Sequence, residues 1–217
     1  MLFVNALVAL FSAMMLGRYG PRAILFVAPG SIRVTGDPAA QPRASGQVAA
    51  GELLERLGFR RLGIRSERGP LGGLRMDVDA WSHPDGTCAD AYPAGGRDAV
   101  VSFLTTFADG YQVGTSNFRR AAVESGAGRV GGLAGAAVAG ALAAHRKATE
   151  PLAASHGSPA AVEDLDARIA LANRFYAGIG ARELRRPAFM SLVNTAVALV
   201  LLVSSVKLAL RGLGLLR

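Results

Sequence analysis

Each end of the chain carries a stretch of apolar residues without a charge. Residues 187–206 contain no charged side chain over twenty positions, and a helix of that length spans the roughly 30 Å hydrocarbon core of a bilayer. Residues 1–16 are also uncharged, but sixteen helical residues cover only about 24 Å. The pattern predicts a transmembrane helix over 187–210 and a short or tilted membrane segment over 1–22.

Between the two ends, the pattern changes to short alternating runs bounded by turn residues. These runs are typical of antiparallel strands and cover residues 59–66, 74–82, 87–92, 99–107 and 111–115. The second run is the clearest, with Leu74, Met76, Val78 and Ala80 on one side and Arg75, Asp77, Asp79 and Trp81 on the other. It predicts a strand with one buried and one solvated face. The Asp-Gly pairs at 85–86 and 109–110 predict tight turns between strands.

Helical signals flank the strand region. Ser45 is a suitable N-cap for a helix that runs to about Leu57. Ser158 and Pro159 predict the start of a later helix, whose apolar seam is Val162, Leu165, Ile169, Ala172, Tyr176 and Ile179. We expect this seam to contact the sheet or a preceding helix. The uncharged run 130–144 is short for a membrane span, so it predicts an alanine-rich helix outside the membrane.

Together these patterns predict an α+β fold. We expect a small antiparallel sheet of about five strands with flanking helices, a C-terminal transmembrane helix and an N-terminal one. Residues 99–107 are apolar on both faces and are expected to lie centrally in the sheet. The predicted segments are 1–22 as a membrane segment, 23–45 as a juxtamembrane linker, 46–120 as the sheet domain, 121–186 as a helical region and 187–210 as the transmembrane helix.

Composition supports a membrane location. Only 18% of the residues are charged, compared with roughly a quarter in an average soluble domain. The 22 arginines greatly outnumber the two lysines, which is typical of a GC-rich bacterial genome. The single cysteine, Cys88, excludes an intrachain disulfide, and its unpaired thiol fits a reducing compartment.

The arginines that flank the apolar stretches suggest a topology. Arg18, Arg22 and Arg33 follow the first stretch, so the positive-inside rule favours a bacterial inner membrane with the middle of the chain in the cytoplasm. Around the second stretch the basic residues are balanced, with three on each side, and only more distant arginines such as Arg174 favour the same orientation. We expect lipid headgroup contacts from Arg18, Arg22, Arg182, Arg185 and Arg186. Within the second stretch, a helical stripe of small residues is a candidate face for packing against another helix: Ser191, Thr195, Ala198 and Ser205. The same stripe would also arise if small residues were merely frequent here.

Candidate chemistry is sparse in this sequence. It contains no phosphate-binding glycine loop, nucleophile elbow, zinc-protease or Cys-x-x-Cys motif. An unbroken strand would place Asp77, Asp79 and His83 on one face, where they could hold a metal ion. However, the charged side of any amphipathic strand has the same pattern, and Pro84 places His83 in a turn. We therefore predict no cofactor, no metal and no catalytic residue.

The sequence predicts a non-catalytic, membrane-anchored protein that acts by binding or as a scaffold. The expected partners are membrane lipids, and a membrane protein or a second copy of the chain could join them. Arginines are numerous around the sheet, but exposed aromatic residues are not interleaved with them, so lipid headgroups fit better than nucleic acid. The alternative is a membrane-bound, metal-dependent enzyme that uses Asp77, Asp79 and His83.

Overall fold

The computed structural model describes residues 2–72, 75–94 and 99–215. These residues form an α+β protein with six α-helices and one mixed sheet of eight strands, so the predicted number of about five strands was too small. The chain divides into two compact units. The helical unit consists of Met1–Ser31, Gly69–Leu74 and Leu184–Arg217, and the α+β unit consists of Ile32–Arg68 and Arg75–Glu183.

The chain forms six α-helices and eight strands over its described residues. The helices are α1 (Leu2–Val27), α2 (Ser45–Arg56), α3 (Val138–Thr149), α4 (Ala153–His156), α5 (Leu165–Ala177) and α6 (Ile179–Gly212). The strands are β1 (Arg33–Asp37), β2 (Arg60–Arg68), β3 (Arg75–Ser82), β4 (Thr87–Tyr92), β5 (Val100–Thr106), β6 (Gln112–Ser116), β7 (Val123–Ser125) and β8 (Gly128–Gly132). The sheet order is β1-β2-β3-β4-β5-β6-β8-β7, and every neighbouring pair is antiparallel except β6 and β8.

Five of the eight strands lie where alternation predicted them. β2 to β6 match the five alternating runs, and β5 lies inside the sheet between β4 and β6, as expected. The two predicted turns are present, with Gly86 at φ +83° and Gly110 at φ +91°. The remaining strands lie in segments that were assigned otherwise: β1 is within 23–45, and β7 and β8 are within 121–186.

Strand β8 replaces the first part of the alanine-rich helix predicted over 130–144, and α3 begins only at Val138. The strand is rich in glycine and therefore shows no alternation in sequence. Gly128 has φ +149°, and a Cβ at this position would overlap the backbone of Gln112. Glycine therefore permits the close approach of β8 to β6.

Helices cover both faces of the central strands. α2 and α3 pack on one face through an apolar cluster that contains Leu54, Trp81, Val101, Phe103, Ala141 and Leu142. We call it the apolar face. α5 packs on the opposite face, called here the polar face for the charges described below. The expected solvated face of β3 is therefore wrong for the second half of the strand, since Val78 to Ser82 are all buried, whereas Arg75 at the start of the strand is exposed.

Helix α5 confirms the predicted contact with the sheet but starts later than predicted. Its N-cap is Asp164, whose Oδ1 accepts a hydrogen bond from the Ala167 amide at 2.8 Å. Pro159, predicted at the start of a helix, instead forms an isolated bridge with Phe107. Of the seam residues, Val162 and Leu165 are buried in a small cluster with Leu62, Ala80, Cys88 and Leu171, and Ile169 packs against this cluster.

The helical unit contains two helices that are long and apolar enough to cross a membrane, in agreement with the sequence pattern. The candidate spans are Phe3–Val27 and Pro187–Gly212. Because α1 continues beyond the uncharged residues 1–16, its 26 residues cover about 39 Å rather than 24 Å. Arg18 and Arg22 therefore lie within the helix and are both exposed.

Candidate functional site

Four charged side chains lie buried between the sheet and α5. Arg65 and Glu67 come from β2, Asp90 from β4 and Arg168 from α5, and each is at most 5% exposed. Arg65 Nη2 donates to Asp90 Oδ2 at 2.9 Å, and its Nη1 donates to Glu67 Oε1. Arg168 Nη2 donates to the same Asp90 Oδ2. We call these four residues the buried ion cluster.

Simple periodicities bring the cluster together. Arg65 and Glu67 are two residues apart on β2 and therefore point to the same face. Ala80 on the intervening β3 pairs with Asp90, and its small side chain leaves space beside the carboxylate. Arg168 lies three residues after Leu165 and four before Ala172, so the helix turns it onto the buried side. The spacing of Arg168 from Leu165 and Ala172 is visible in the sequence and indicates a buried arginine on α5.

The pKa directions of Asp90 and Arg65 favour the charged form of both side chains. Burial alone would raise the pKa of Asp90, but the adjacent Arg168 and Arg65 guanidinium groups lower it below its ordinary value. Burial opposes the charge on Arg65, yet Asp90 and Glu67 raise its pKa well above the ordinary range. The ion pair between Arg65 and Asp90 is therefore stabilised in its charged form despite its burial.

A cavity of about 30 Å³ adjoins the cluster, with Tyr92 and Tyr176 on its wall. Burial raises the pKa of both tyrosines, so their hydroxyl groups remain protonated. Several buried polar atoms of the cluster have no hydrogen-bond partner among the described residues: Arg65 Nε, Glu67 Oε2, Asp90 Oδ1, Arg168 Nε and Arg168 Nη1. The space suits one or two water molecules, which could satisfy some of these atoms. The arrangement is suited to locking α5 onto the sheet rather than to holding an organic ligand.

A second ion pair lies at the edge of this cavity. Arg120 binds Glu183 in a bidentate geometry, with Nε–Oε1 and Nη2–Oε2 distances of 2.6 Å each. Arg120 Nη1 also donates to Ser102 Oγ at 3.2 Å, and the guanidinium carbon lies 5.4 Å from the centre of the Phe175 ring. Glu183 is in the first turns of α6, so this pair attaches the start of α6 to the sheet.

The structure does not bring the three candidate metal ligands together. Asp79 is buried and accepts hydrogen bonds from Arg61 Nε at 2.7 Å and Trp81 Nε1 at 2.9 Å. Asp77 Oδ1 accepts from Ser66 Oγ at 2.6 Å, whereas His83 lies in the turn, with Nδ1 2.9 Å from Asp85. Six residues of extended chain, about 20 Å, separate Asp77 from His83. Within residues 2–72, 75–94 and 99–215, no group of three or more His, Cys, Asp or Glu side chains is placed to hold a metal.

Burial gives Asp79 an unusual environment. It raises the pKa of the carboxyl group, and this effect outweighs the opposing influence of Arg61 and Trp81. Asp79 therefore binds one side chain of the neighbouring strand β2, Arg61, and one side chain of the apolar cluster, Trp81. The enzyme alternative based on Asp77, Asp79 and His83 stays a prediction.

Cys88 and His145 are both buried in the α+β unit. Cys88 is 1% exposed, and burial raises the pKa of its thiol to about 11. His145 on α3 is fully buried. Its Nε2 lies 2.9 Å from Thr105 Oγ1 and its Nδ1 lies 3.0 Å from Thr115 Oγ1. Burial lowers the pKa of this imidazole to about 4.

Another charged feature is open to solvent at one end of the sheet. Arg33 on β1 pairs with Arg68 on β2, and Arg68 pairs in turn with Arg75 on β3. All three are exposed and project from the face opposite the buried ion cluster. We call these residues the arginine row. The sequence singled out Arg68 and Arg75 only as members of a general arginine excess, because their register cannot be read along the chain.

The predicted headgroup and packing residues lie on α1 and α6. Arg18, Arg22, Arg182 and Arg185 are exposed, and the side chain of Arg186 lies outside the described residues. On α6, three members of the small-residue stripe are buried at seven-residue intervals: Ser191, Ala198 and Ser205. Thr195, the fourth member, donates its hydroxyl to the Ser191 carbonyl at 2.7 Å. Both sets of functional assignments stay predictions.

No protein-family model, curated protein or solved structure matches this chain. A functional assignment therefore starts from features of the chain itself. These features are the two apolar helices, the buried ion cluster and the arginine row.

Proposed function

We propose that this protein is a membrane-anchored binding or scaffold protein of the bacterial inner membrane. The two apolar helices serve as the anchor, and the α+β unit is the binding part, on the cytoplasmic side. The partners are membrane lipids, together with a membrane protein or a second copy of the chain at the stripe of Ser191, Thr195, Ala198 and Ser205. Arg18 and Arg22, in the C-terminal part of the first span, and Arg33 beyond it support this orientation.

The observation that carries the proposal is the exposed apolar surface of the two candidate spans. Phe3 is 75% exposed, Met14 67% and Val200 64%. Large apolar side chains exposed in this way along two long helices would be unfavourable in water at about 25 cal/mol per Å². A lipid environment removes this cost. The arginines at the ends of the helices are suited to anionic headgroups.

Alkaline carbonate extraction of membranes that contain the full chain tests the anchor. We expect the protein to stay in the membrane pellet. Arginine at the centre of a span costs about 2.5–3.5 kcal/mol, so the variant Leu10→Arg/Val200→Arg should be released or fail to insert. The matched variant Val27→Arg/Leu213→Arg places the same charges at exposed helix ends and should behave like the wild type. Release of the wild-type protein by carbonate would refute the proposal.

Thiol labelling tests the orientation, but Cys88 cannot serve as the probe because it is buried and its thiol pKa is raised. A suitable reporter is Ala154→Cys in a Cys88→Ala background, since Ala154 is exposed on α4. We expect a membrane-impermeant maleimide to label this cysteine only after the cells are permeabilised. Labelling in intact cells would place the α+β unit on the outer side of the membrane.

A further inference from the structure

The arginine row is an arrangement of like charges without compensation. Register partners on antiparallel strands lie about 5 Å apart, so Arg68 has a like charge directly beside it on each side. In the described part of the chain, none of the three guanidinium groups has a carboxylate within 4 Å or a hydrogen-bond partner. Like charges placed directly opposite one another destabilise a sheet. An anion bound at the row would relieve this repulsion.

The neighbouring acid on this face does not neutralise the row. Asp77 follows Arg75 by two residues on β3, and its Oδ1 accepts the hydrogen bond from Ser66 Oγ. A residue two positions along the strand is a diagonal neighbour, roughly 7–8 Å away from Arg68. The three guanidinium groups therefore keep their hydrogen-bond donors available at the surface.

The row lies where the chain passes between the two units. Arg33 follows Ser31 by two residues, Arg68 directly precedes Gly69, and Arg75 directly follows Leu74. Ser31, Gly69 and Leu74 all belong to the helical unit. The chain therefore passes from one unit to the other at three places next to the row, and each of these places lies beside one of its arginines.

We propose that the arginine row binds the phosphate group of anionic phospholipids, an inference that rests on the membrane anchoring proposed above. The planar guanidinium group matches phosphate oxygens with paired donors, and three such groups side by side provide a multivalent site. A lipid fits better than a soluble anion because each member of the row lies within two residues, along the chain, of a segment of the helical unit, which we propose as the membrane anchor. Each arginine near an anionic surface strengthens the attraction, so loss of all three weakens binding on the order of a hundredfold.

The test uses the full chain in a neutral detergent and follows thermal unfolding by fluorescence of Trp81, the only tryptophan, which is buried in the α+β unit. The probes are dioctanoyl phosphatidylglycerol, dioctanoyl phosphatidylcholine and inorganic phosphate. We expect phosphatidylglycerol to raise the Tm through preferential binding to the folded state, and the other two probes to have little effect. The variant Arg33→Gln/Arg68→Gln/Arg75→Gln should lose this rise.

The matched control is Arg56→Gln/Arg119→Gln/Arg174→Gln, which removes three exposed arginines outside the row and should keep the response. An equal loss in the control would overturn the proposal, because net charge alone would then explain binding. Equal effects of phosphatidylcholine would also overturn it, and a full response to inorganic phosphate would replace the lipid by a soluble anion. If phosphatidylglycerol does not raise the Tm but the wild-type protein resists carbonate extraction, only the lipid site at the arginine row is refuted. Carbonate release of the wild type refutes the proposed anchoring.

Discussion

α2 and α3 cover one face of the sheet with apolar side chains, whereas α5 covers the opposite face with a set of buried charges. On the apolar face, Phe59 and Phe103 pack with ring centres 5.9 Å apart among buried alanines and valines. On the polar face, Arg65, Asp90 and Arg168 form the centre of the contact between sheet and helix. The same eight strands therefore use two kinds of interaction to hold their covering helices.

The difference concerns specificity more than stability. Apolar contacts are roughly proportional to the area buried and depend little on direction. Buried ion pairs pay a large desolvation cost and tolerate only an arrangement in which each charge meets its partner. We infer that the apolar face provides most of the stability of the α+β unit, whereas the ion cluster fixes the position of α5.

The largest expected effect is on the polar face. Asp90→Leu would leave Arg168 without its carboxylate and Arg65 with only Glu67, so we expect a loss of about 4–5 kcal/mol in the free energy of unfolding. Urea unfolding of the full chain in detergent, followed by Trp81 fluorescence, measures this loss. The control Glu124→Leu makes a similar change at an exposed position on β7 and should stay within about 0.5 kcal/mol of wild type.

Removing both partners should cost less than removing one. Asp90→Leu/Arg168→Leu eliminates the unpaired guanidinium and should recover about half of the stability that Asp90→Leu loses. A double variant that loses the sum of the two single effects would contradict the inferred difference between the faces.

A somewhat smaller effect is expected from Phe103→Ala on the apolar face. The side chain is fully buried, and its truncation should cost about 3–4 kcal/mol through lost burial and a new cavity. Here no second substitution should rescue the protein, so Phe59→Ala/Phe103→Ala should be less stable than either single variant. Recovery in that double variant would show that this face also depends on specific pairing.

The two faces should respond to acid in different pH ranges. His145 on the apolar side has a folded pKa of about 4, compared with about 6.5 in the unfolded chain. The neutral imidazole makes its full contribution to the free energy of unfolding above pH 6.5. As the pH falls to 4, this free energy decreases by about 3 kcal/mol. Asp90 has a lowered pKa, so its contribution is complete above the unfolded value near 3.9 and is lost below it.

Unfolding free energies measured between pH 7 and 4 test this sign. In His145→Gln, the free energy of unfolding should decrease less steeply between pH 7 and 4 than in the wild type. The control Leu142→Ala, buried on the same helix, should lower stability equally at each pH and keep the slope. An unchanged slope in His145→Gln would contradict the assignment of this titration to His145.

The smallest effect concerns the exposed arginine row. In neutral detergent, Arg68→Gln should stabilise the α+β unit by about 0.5 kcal/mol, because it removes the central member of three adjacent like charges. The urea midpoint of the variant, compared with that of Arg56→Gln, measures the gain. Destabilisation by Arg68→Gln would show that the side chain makes a favourable contact in the absence of lipid.

Sequence predicted elements where local periodicity was strong. The alternating runs located β2 to β6, and the long apolar stretches located both candidate spans. β1, β7 and β8 were missed because strands that are very short, rich in glycine or next to a proline lack alternation, and their pairing depends on distant residues. For the same reason, neither the buried ion cluster nor the arginine row was predicted. The arginine row depends on the register of β1, β2 and β3, and the ion cluster depends on the register of β2 to β4 together with the packing of α5, so both join residues far apart in the sequence.

The residues of the ion cluster are synthesised at different times, and α5 can pack on the polar face only after the last of them has been made. β1 to β6 form successive antiparallel neighbours, so each strand can join the previous one soon after it leaves the ribosome. Arg168, however, lies 78 residues after Asp90. At roughly 5–20 residues per second, the carboxylate waits about 4–16 s for its second guanidinium. During this interval the growing protein has one face covered by α2 and its charged face still in contact with water.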